Sequence, residues 1–213
     1  MQNHTLINKI KSQNIVYDVI RDDQTVISQL LPVNYKIIND DFLINQLTKW
    51  RNESMRFFKS QFKSTSEGTK TWLTEKIVPA NDRILFLVSS KGKVVGHFGL
   101  CNITDISAEL DNAIRGEIGG PSDLFAFVEK TLLNISFTEL NVEQVVAKVF
   151  SNNIFALQLH KNLGFQEKNR VPLKLIISEN KKVYEECLRK DANVNFDYAE
   201  LVISKSDYME IHK

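Results

Sequence analysis

From Glu109 to Leu140 the chain passes through a β-patterned stretch, a glycine-rich loop and a long amphipathic helix, and this segment restricts what the rest can be. Three of the eight glycines fall in the loop, at Gly116, Gly119 and Gly120. Small residues ahead of a helix let a backbone approach a ligand closely, and the unpaired N–H groups at the helix start then point at an anion. A phosphate or pyrophosphate is the expected guest, although a plain turn also explains Gly-Gly-Pro and stays open here. The spacing fits neither GxGxxG nor GxxxxGK followed by Ser or Thr, which argues against a dinucleotide site or an NTPase. Pro121 and Ser122 supply helix start signals, and Leu124, Val128, Leu132 and Ile135 recur at helical spacing.

The chain has 213 residues, 43% of them apolar and 25% charged, the balance of a globular protein. Its 27 basic and 26 acidic side chains leave a net charge of +1, so no excess field draws in a nucleic acid. Apolar runs such as that from Ile84 to Val88 are far short of the roughly 20 residues a spanning helix needs, and no membrane span is expected. The start, MQNHTLINKIKS, is polar where a secretory signal must be apolar, so a cytoplasmic location is expected. Cys101 and Cys187 lie far apart with no ligand cluster around them. Two reduced thiols, no disulfide framework and no metal site follow as expectations.

The pattern before about Leu31 is mixed: NIVYDVI reads as a short strand and DDQTVISQLL as a short capped helix. Residues 1–33 are therefore set apart as an extension, with one domain over 34–213. YKII reads as a strand; a helix follows in which Leu43, Leu47 and Trp50 share a stripe. MRFFKSQF reads as a second strand, and STSEGTKTWLTEKIV as a capped helix with an apolar side at Trp72, Leu73 and Ile77. RILFLVSS, KGK and VVGHFGLCNI read as an antiparallel hairpin, which AELDNAI extends. After the long helix come a buried-looking strand, EQVVAKVF, and a last helix capped by Ser-Asn-Asn and ended at Gly164. VPLKLIIS and FDYAELVIS read as further antiparallel sheet. The short connections favour a compact α/β domain.

The order of hairpin, Arg-Gly-rich loop, long helix, strand and Asn-x-x-Ala-x-x-Leu-x-x-x-x-Gly-Phe helix resembles the GNAT superfamily of acetyl-CoA-dependent N-acyltransferases. The residues that carry the likeness are Arg115 to Asp123, Asn153, Ala156, Leu159, Gly164 and Phe165. Further segments, WRNE at Trp50 to Glu53, TWL at Trp72, RILF, VVGHFGL and ELDNAIRG, resemble a subgroup associated with sugar nucleotides and surface polysaccharides. The resemblance implies a mixed, mostly antiparallel sheet with about four helices and a V-shaped opening between two splayed strands, Leu110 to Ile114 and Val145 to Phe150. Acetyl-CoA is the implied co-substrate and a nucleotide-linked amino sugar the implied acceptor, attacked directly by its amine without a covalent enzyme intermediate. A homodimer is among the expected partners, separately from the resemblance. A protein N-terminal or ribosomal-protein acetyltransferase and a noncatalytic acyl-CoA-binding module are the alternatives.

Carried onto this sequence, the family pattern puts the pantetheine arm beside Asn112, Ala113 and Ile114. The pyrophosphate falls on Arg115, Gly116, Gly119, Gly120, Ser122, Asp123 and Leu124, with Asn153 and Phe155 facing the cofactor from the last helix. Glu117 and Pro121 depart from the family loop, which leaves the identity of the phosphate donors open. Glu109 is either the base for the amine or a solvent-facing carboxylate. His160 stands where the family often has Tyr and is either the acid for the leaving thiolate or a groove-lining side chain. On the acceptor side the resemblance marks Trp50, Arg51 and Asn52, and His97, in a strand between Gly96 and Phe98, is a further candidate to face the acceptor cleft. Trp50 also completes a core stripe, and His97 also fits a structural role.

Overall fold

A computed structural model describes residues 2–212. The chain opens with α1 (Gln2–Ser12), the hairpin β1 (Tyr17–Ile20) and β2 (Val26–Pro32), then α2 (Tyr35–Ile38) and α3 (Asp41–Glu53). A two-residue strand β3 (Ser60–Gln61) and α4 (Ser66–Trp72) follow, the latter continuing into a π-helical turn at Leu73–Ile77. The middle is β4 (Ile84–Ser90), β5 (Lys93–Cys101), β6 (Ser107–Arg115), α5 (Leu124–Asn134) and β7 (Gln144–Phe150). The end is α6 (Ile154–Asn162), β8 (Gln166–Ser178), β9 (Lys181–Glu186), β10 (Asp197–Ser204) and α7 (Lys205–Ile211).

The strands lie in the order β1-β2-β4-β5-β6-β7-β10-β8-β9-β3. Every neighbouring pair is antiparallel except β6 and β7, which run parallel because α5 carries the chain back over the sheet between them. On one face α3 and the π-helical turn after α4 bury Leu43, Leu47, Trp50 and Leu73 against Leu85, Leu87 and Ile114. On the other, α1, α5 and α7 bury Ile7, Ile10, Val128, Leu132 and Tyr208 against Phe86, Phe98, Leu110 and Leu201. The expected α/β architecture and mixed, mostly antiparallel sheet are observed, with four helices of nine residues or more among the described residues.

Two features open this sheet. Pairing of β6 with β7 starts at Ser107 and Gln144 and ends at Leu110 and Ala147, although β6 continues to Arg115 and β7 to Phe150. At that point β6 carries a bulge: between the pairs His97 with Ile114 and Gly99 with Asp111, two β6 residues, Asn112 and Ala113, oppose the single Phe98. Asn112 takes a left-handed φ of 55°, a conformation Asn tolerates better than most residues. A bulge adds local twist. The strands diverge from there.

Several short elements differ from the sequence reading. YKII is the helix α2, because the Asn34 side chain accepts from Lys36 N at 3.0 Å and caps it. DDQTVISQLL contains strand β2, whose Ser28, Leu30 and Pro32 alternate inward. MRFFKSQF gives a 3-10 turn at Met55–Phe57, and Ser60 and Gln61 alone pair, with β9. Residues 2–32, read above as part of an extension, supply α1 and the β1–β2 pair of the same sheet, and β2 pairs with β4. The Lys11 Nζ seals α1 to the end of the π-helical turn, donating to the carbonyls of Ile77 at 2.7 Å and Ala80 at 2.5 Å.

Candidate active site

Because β6 and β7 are parallel, their C-terminal ends reach the same edge, and the loops that follow them flank one opening. The starts of α5 and α6 therefore both face it. In loop 116–123 the Arg115 guanidinium turns inward, donating to the carbonyls of Ser122 at 2.8 Å, Gly119 at 3.0 Å and Pro121 at 3.0 Å. It ties up the loop's acceptors on one side. The N–H groups of Gly119, Gly120, Ser122 and Asp123 make no hydrogen bond among the described residues, which is the donor set a diphosphate needs. The carboxylate of Asp123 is matched by Arg21 at 2.8 Å, which removes a repulsion from the same place.

The other expected cofactor contacts divide. The N–H groups of Gly116 and Glu117 both go to Val95 O, at 2.9 and 3.0 Å, and that of Leu124 to Pro121 O at 3.1 Å, so these are not donors to a ligand. The Leu124 and Ile114 side chains are in the core. A Cβ on Gly116 would lie 2.0 Å from the Trp50 indole, so this glycine makes room for tryptophan and not for a phosphate. Asn153 caps α6, accepting from Ala156 N at 3.4 Å. Phe155 is 90% exposed at the mouth, and Ile118 and Ile154, which the sequence reading did not single out, are 97% and 64% exposed beside it. Three bare apolar side chains around one opening are a surface that a ligand would cover.

Across the bulge, Glu109 and Asp111 point to the α3 face of the sheet. Glu109 is ion-paired with Lys148 at 3.3 Å and accepts from Asn102 at 3.2 Å, and its side chain stays part-exposed. Asp111, two residues nearer the splay, was missed in the sequence. Burial pushes its carboxyl above the usual carboxylate range, partly offset by the Asn112 amide 2.6 Å away. The alternation that selects Glu109 selects Asp111 as well, and the bulge one residue later is the signal that was invisible. Burial, reinforced by Asp111 and Glu109, pushes the Cys101 thiol and the Tyr198 hydroxyl up, so neither ionises near neutral pH. Phe150, Tyr184, Phe196 and Tyr198 pack ring to ring, with Phe150 5.1 Å from Tyr184 and 5.2 Å from Phe196.

On the acceptor side the WRN segment separates by role. Trp50 is fully buried, with Nε1 3.3 Å from Glu117 Oε1, and belongs to the core. Asn52 holds Ser64 with its amide, donating to O at 3.0 Å and accepting from N at 2.8 Å. Arg51 stacks on Phe58, 3.8 Å from the ring centroid, and donates from Nη2 to Ser60 O at 2.7 Å. Its Nη1 is buried without a partner among the described residues. His97 is 4% exposed, and its Nδ1 is 2.7 Å from Asn112 O, so that nitrogen carries the proton and the ring tethers the bulge. Burial first and Arg51 second pull its pKa down to about 4, against the Asn112 bond. His160 is also 4% exposed, and its Nδ1 meets Glu129 Oε1 at 2.6 Å across the α5–α6 interface. Among the described residues no cluster of three His, Cys, Asp or Glu side chains could hold a metal ion, and no helix is long and apolar enough to cross a membrane.

Residues 37–188 match the family model described as an acetyltransferase (GNAT) domain. The chain belongs to the GNAT acetyltransferases. The acetyltransferase is similar in fold to a probable GNAT-family acetyltransferase from Chromobacterium violaceum, at 14% identity and TM-score 0.67 over 87% of this chain and 86% of that one. It is also similar to a spermidine N-acetyltransferase from Vibrio cholerae solved with CoA and spermine, at 20% identity and TM-score 0.65 over 85% and 98% of the two chains. A GCN5-related N-acetyltransferase from Brucella melitensis gives 16% identity and TM-score 0.64 over 93% and 82%. No curated protein sequence matches the acetyltransferase. Family membership makes it an acetyl-CoA-dependent N-acetyltransferase, and the noncatalytic reading falls away.

Proposed function

We propose that this acetyltransferase modifies a primary amine on an acceptor that also carries an anionic group, the chemistry of a nucleotide-linked amino sugar. The observation that carries the reading is the buried, unpartnered Nη1 of Arg51 on the sheet face that also presents Glu109 and Asp111. A buried guanidinium nitrogen without an acceptor is costly, and a phosphate oxygen is its best complement. The carboxyls suit the amine end of the same molecule. They also suit a polycation with no anion, and Arg51 favours the first class over the second.

Acetyl-CoA supplies a thioester carbon open to attack and a thiolate that leaves. Gly119, Gly120, Ser122 and Asp123 would hold its diphosphate, Asn112 and Ala113 its arm, and Ile118 and Phe155 would cover apolar parts of it. Asp111, with its raised pKa and Glu109 behind it, takes the proton that the amine loses. His160 gives a proton to the departing sulfur.

Thiol release from acetyl-CoA, followed in parallel with UDP- and dTDP-linked amino sugars, spermidine and N-terminal peptides, tests the reading. Turnover of an amino sugar nucleotide, with Arg51→Ala raising KM for that acceptor by roughly tenfold or more and leaving KM for acetyl-CoA unchanged, is expected. Turnover confined to spermidine or peptides, or an Arg51→Ala enzyme with parental acceptor KM, overturns the proposed acceptor class.

A further inference from the structure

We infer that Glu129 is the positioning residue for His160, an inference that rests on the proposed proton-donor role of His160 in the same site. Glu129 occupies a fully buried position on α5 between the apolar residues Val128, Leu132 and Leu133. Leucine would serve packing there. A carboxylate withdrawn from water is costly unless something pairs with it, and removing the partner of such a group is costlier still. Among the described residues the one hydrogen bond of this carboxylate is to His160 Nδ1 at 2.6 Å, while Oε2 has no partner. Among the described residues no backbone N–H or lysine shares it, so its chemistry is directed at the imidazole.

That contact does two things an isolated histidine lacks. It fixes the proton on Nδ1, which leaves Nε2 as the nitrogen that can exchange a proton. It also balances the positive charge that the ring carries when Nε2 is protonated, the role a buried carboxylate plays toward imidazole in other enzymes. The ring's plane is set further by Phe165, whose centroid is 5.4 Å away. On α6, Asn153, Ala156 and His160 fall at i, i+3 and i+7, one stripe that starts at the part-exposed mouth and ends at the buried histidine. The pair thus stands at the inner end of the helix face that borders the opening.

The step balances with Glu129 as a spectator. The amine nitrogen bonds to the carbonyl carbon, and the carbon–sulfur bond breaks with its electrons on sulfur. The Nε2 proton passes to sulfur, the amine proton goes to Asp111, and exchange with water resets both groups. Glu129 neither gains nor loses a proton in the step and keeps its contact with Nδ1.

The test uses Glu129→Gln, which keeps volume and an acceptor but removes the charge, with His160→Phe and the double variant beside it. If Glu129 acts through His160, Glu129→Gln lowers kcat by roughly tenfold to a hundredfold with acetyl-CoA KM within about twofold of the parent. The double variant is then no slower than His160→Phe, because residues that act as a unit are not additive. In the parent protein, nitrogen-15 NMR of the His160 ring should show the proton on Nδ1, a readout that survives even if the Gln variant fails to fold. A ring protonated on Nε2 with Nδ1 bare overturns the inference. So does parental kcat in Glu129→Gln while His160→Phe is impaired, and the proton-donor reading of His160 then stands. Parental kcat in His160→Phe removes that reading and this inference with it.

Discussion

His97 makes the stability of the splayed site depend on acidity. The neutral ring is buried, donates from Nδ1 to the Asn112 carbonyl at 2.7 Å, and lies near the Arg51 guanidinium, so protonation in place is opposed by burial and by charge. Its pKa falls from 6.5 to about 4 in the folded chain. The unfolded chain therefore binds a proton that the folded chain refuses throughout that window, and stability falls as the pH drops through it. The contribution is complete above about pH 6.5 and exhausted below about pH 4. At about 1.36 kcal/mol per pH unit the full loss is about 3 kcal/mol, most of it spent by about pH 4.5.

Carboxylates also titrate in acid, so a difference measurement is required. His97→Asn removes the titration and keeps an N–H donor at the δ position, the one His97 uses toward Asn112. Urea unfolding of parent and variant should be compared at several values between about pH 7 and pH 4.5. The parent should start ahead and lose most of about 3 kcal/mol over that range, while the common carboxylate terms cancel. Parallel stability curves would refute the argument, since they would mean that the folded chain accepts a proton at His97 as readily as the unfolded chain does.

Two further perturbations act on packing. Gly116→Ala drives a methyl to 2.0 Å from the Trp50 indole; overpacking of this kind costs roughly 1–3 kcal/mol, so calorimetry should show a melting temperature lower by roughly 5 °C, and an unchanged one would count against the close approach. Lys11, buried against the Ile77 and Ala80 carbonyls, has its pKa drawn down to about 8, mainly by burial. Its cost as a cation is present below about pH 8 and relieved between there and 10.5, so Lys11→Met should flatten a rise in stability across that interval while lowering stability near neutrality through the carbonyls it leaves unpaired.

The elements that the sequence revealed are those whose signal is repeated. The hairpin of β4 and β5 has two long β-rich runs and a turn, Lys91 and Gly92, with positive φ at both residues. Helix α5 and the turn that continues it repeat an apolar residue four times. Elements such as α2 and β2 have four and seven residues, too few for a period of 3.6 to be told from a period of 2, and there a cap or a pairing partner decided. The site shows the same division. The loop and helix start are legible because glycine spacing is local. Asp111 was not, because a bulge depends on the neighbouring strand; nor was the pairing of Glu129 with His160, 31 residues apart, which exists through the packing of α5 on α6. Arg115 was read as a ligand contact on its position, whereas three carbonyls of its own loop claim it.

One inserted residue links these parts. If β6 had no bulge, residues beyond Leu110 would continue in register with β7, and the backbone groups that now line the opening would be spent on the sheet ladder. The bulge turns the end of β6 away from β7 while Ile114 and Arg115 stay paired with His97 and Gly96 on β5, so the strand is held on one side and bare on the other. Such a conformation is not self-sustaining, because Asn112 sits at a positive φ and its carbonyl leaves the regular ladder. His97 satisfies that carbonyl, and the Asn112 side chain in turn reaches Asp111. The same residue that opens the sheet thus joins the ring that steadies the opening to the carboxyl proposed as base. A loss of the His97 tether should therefore be felt at Asp111 as well as in the stability of the fold.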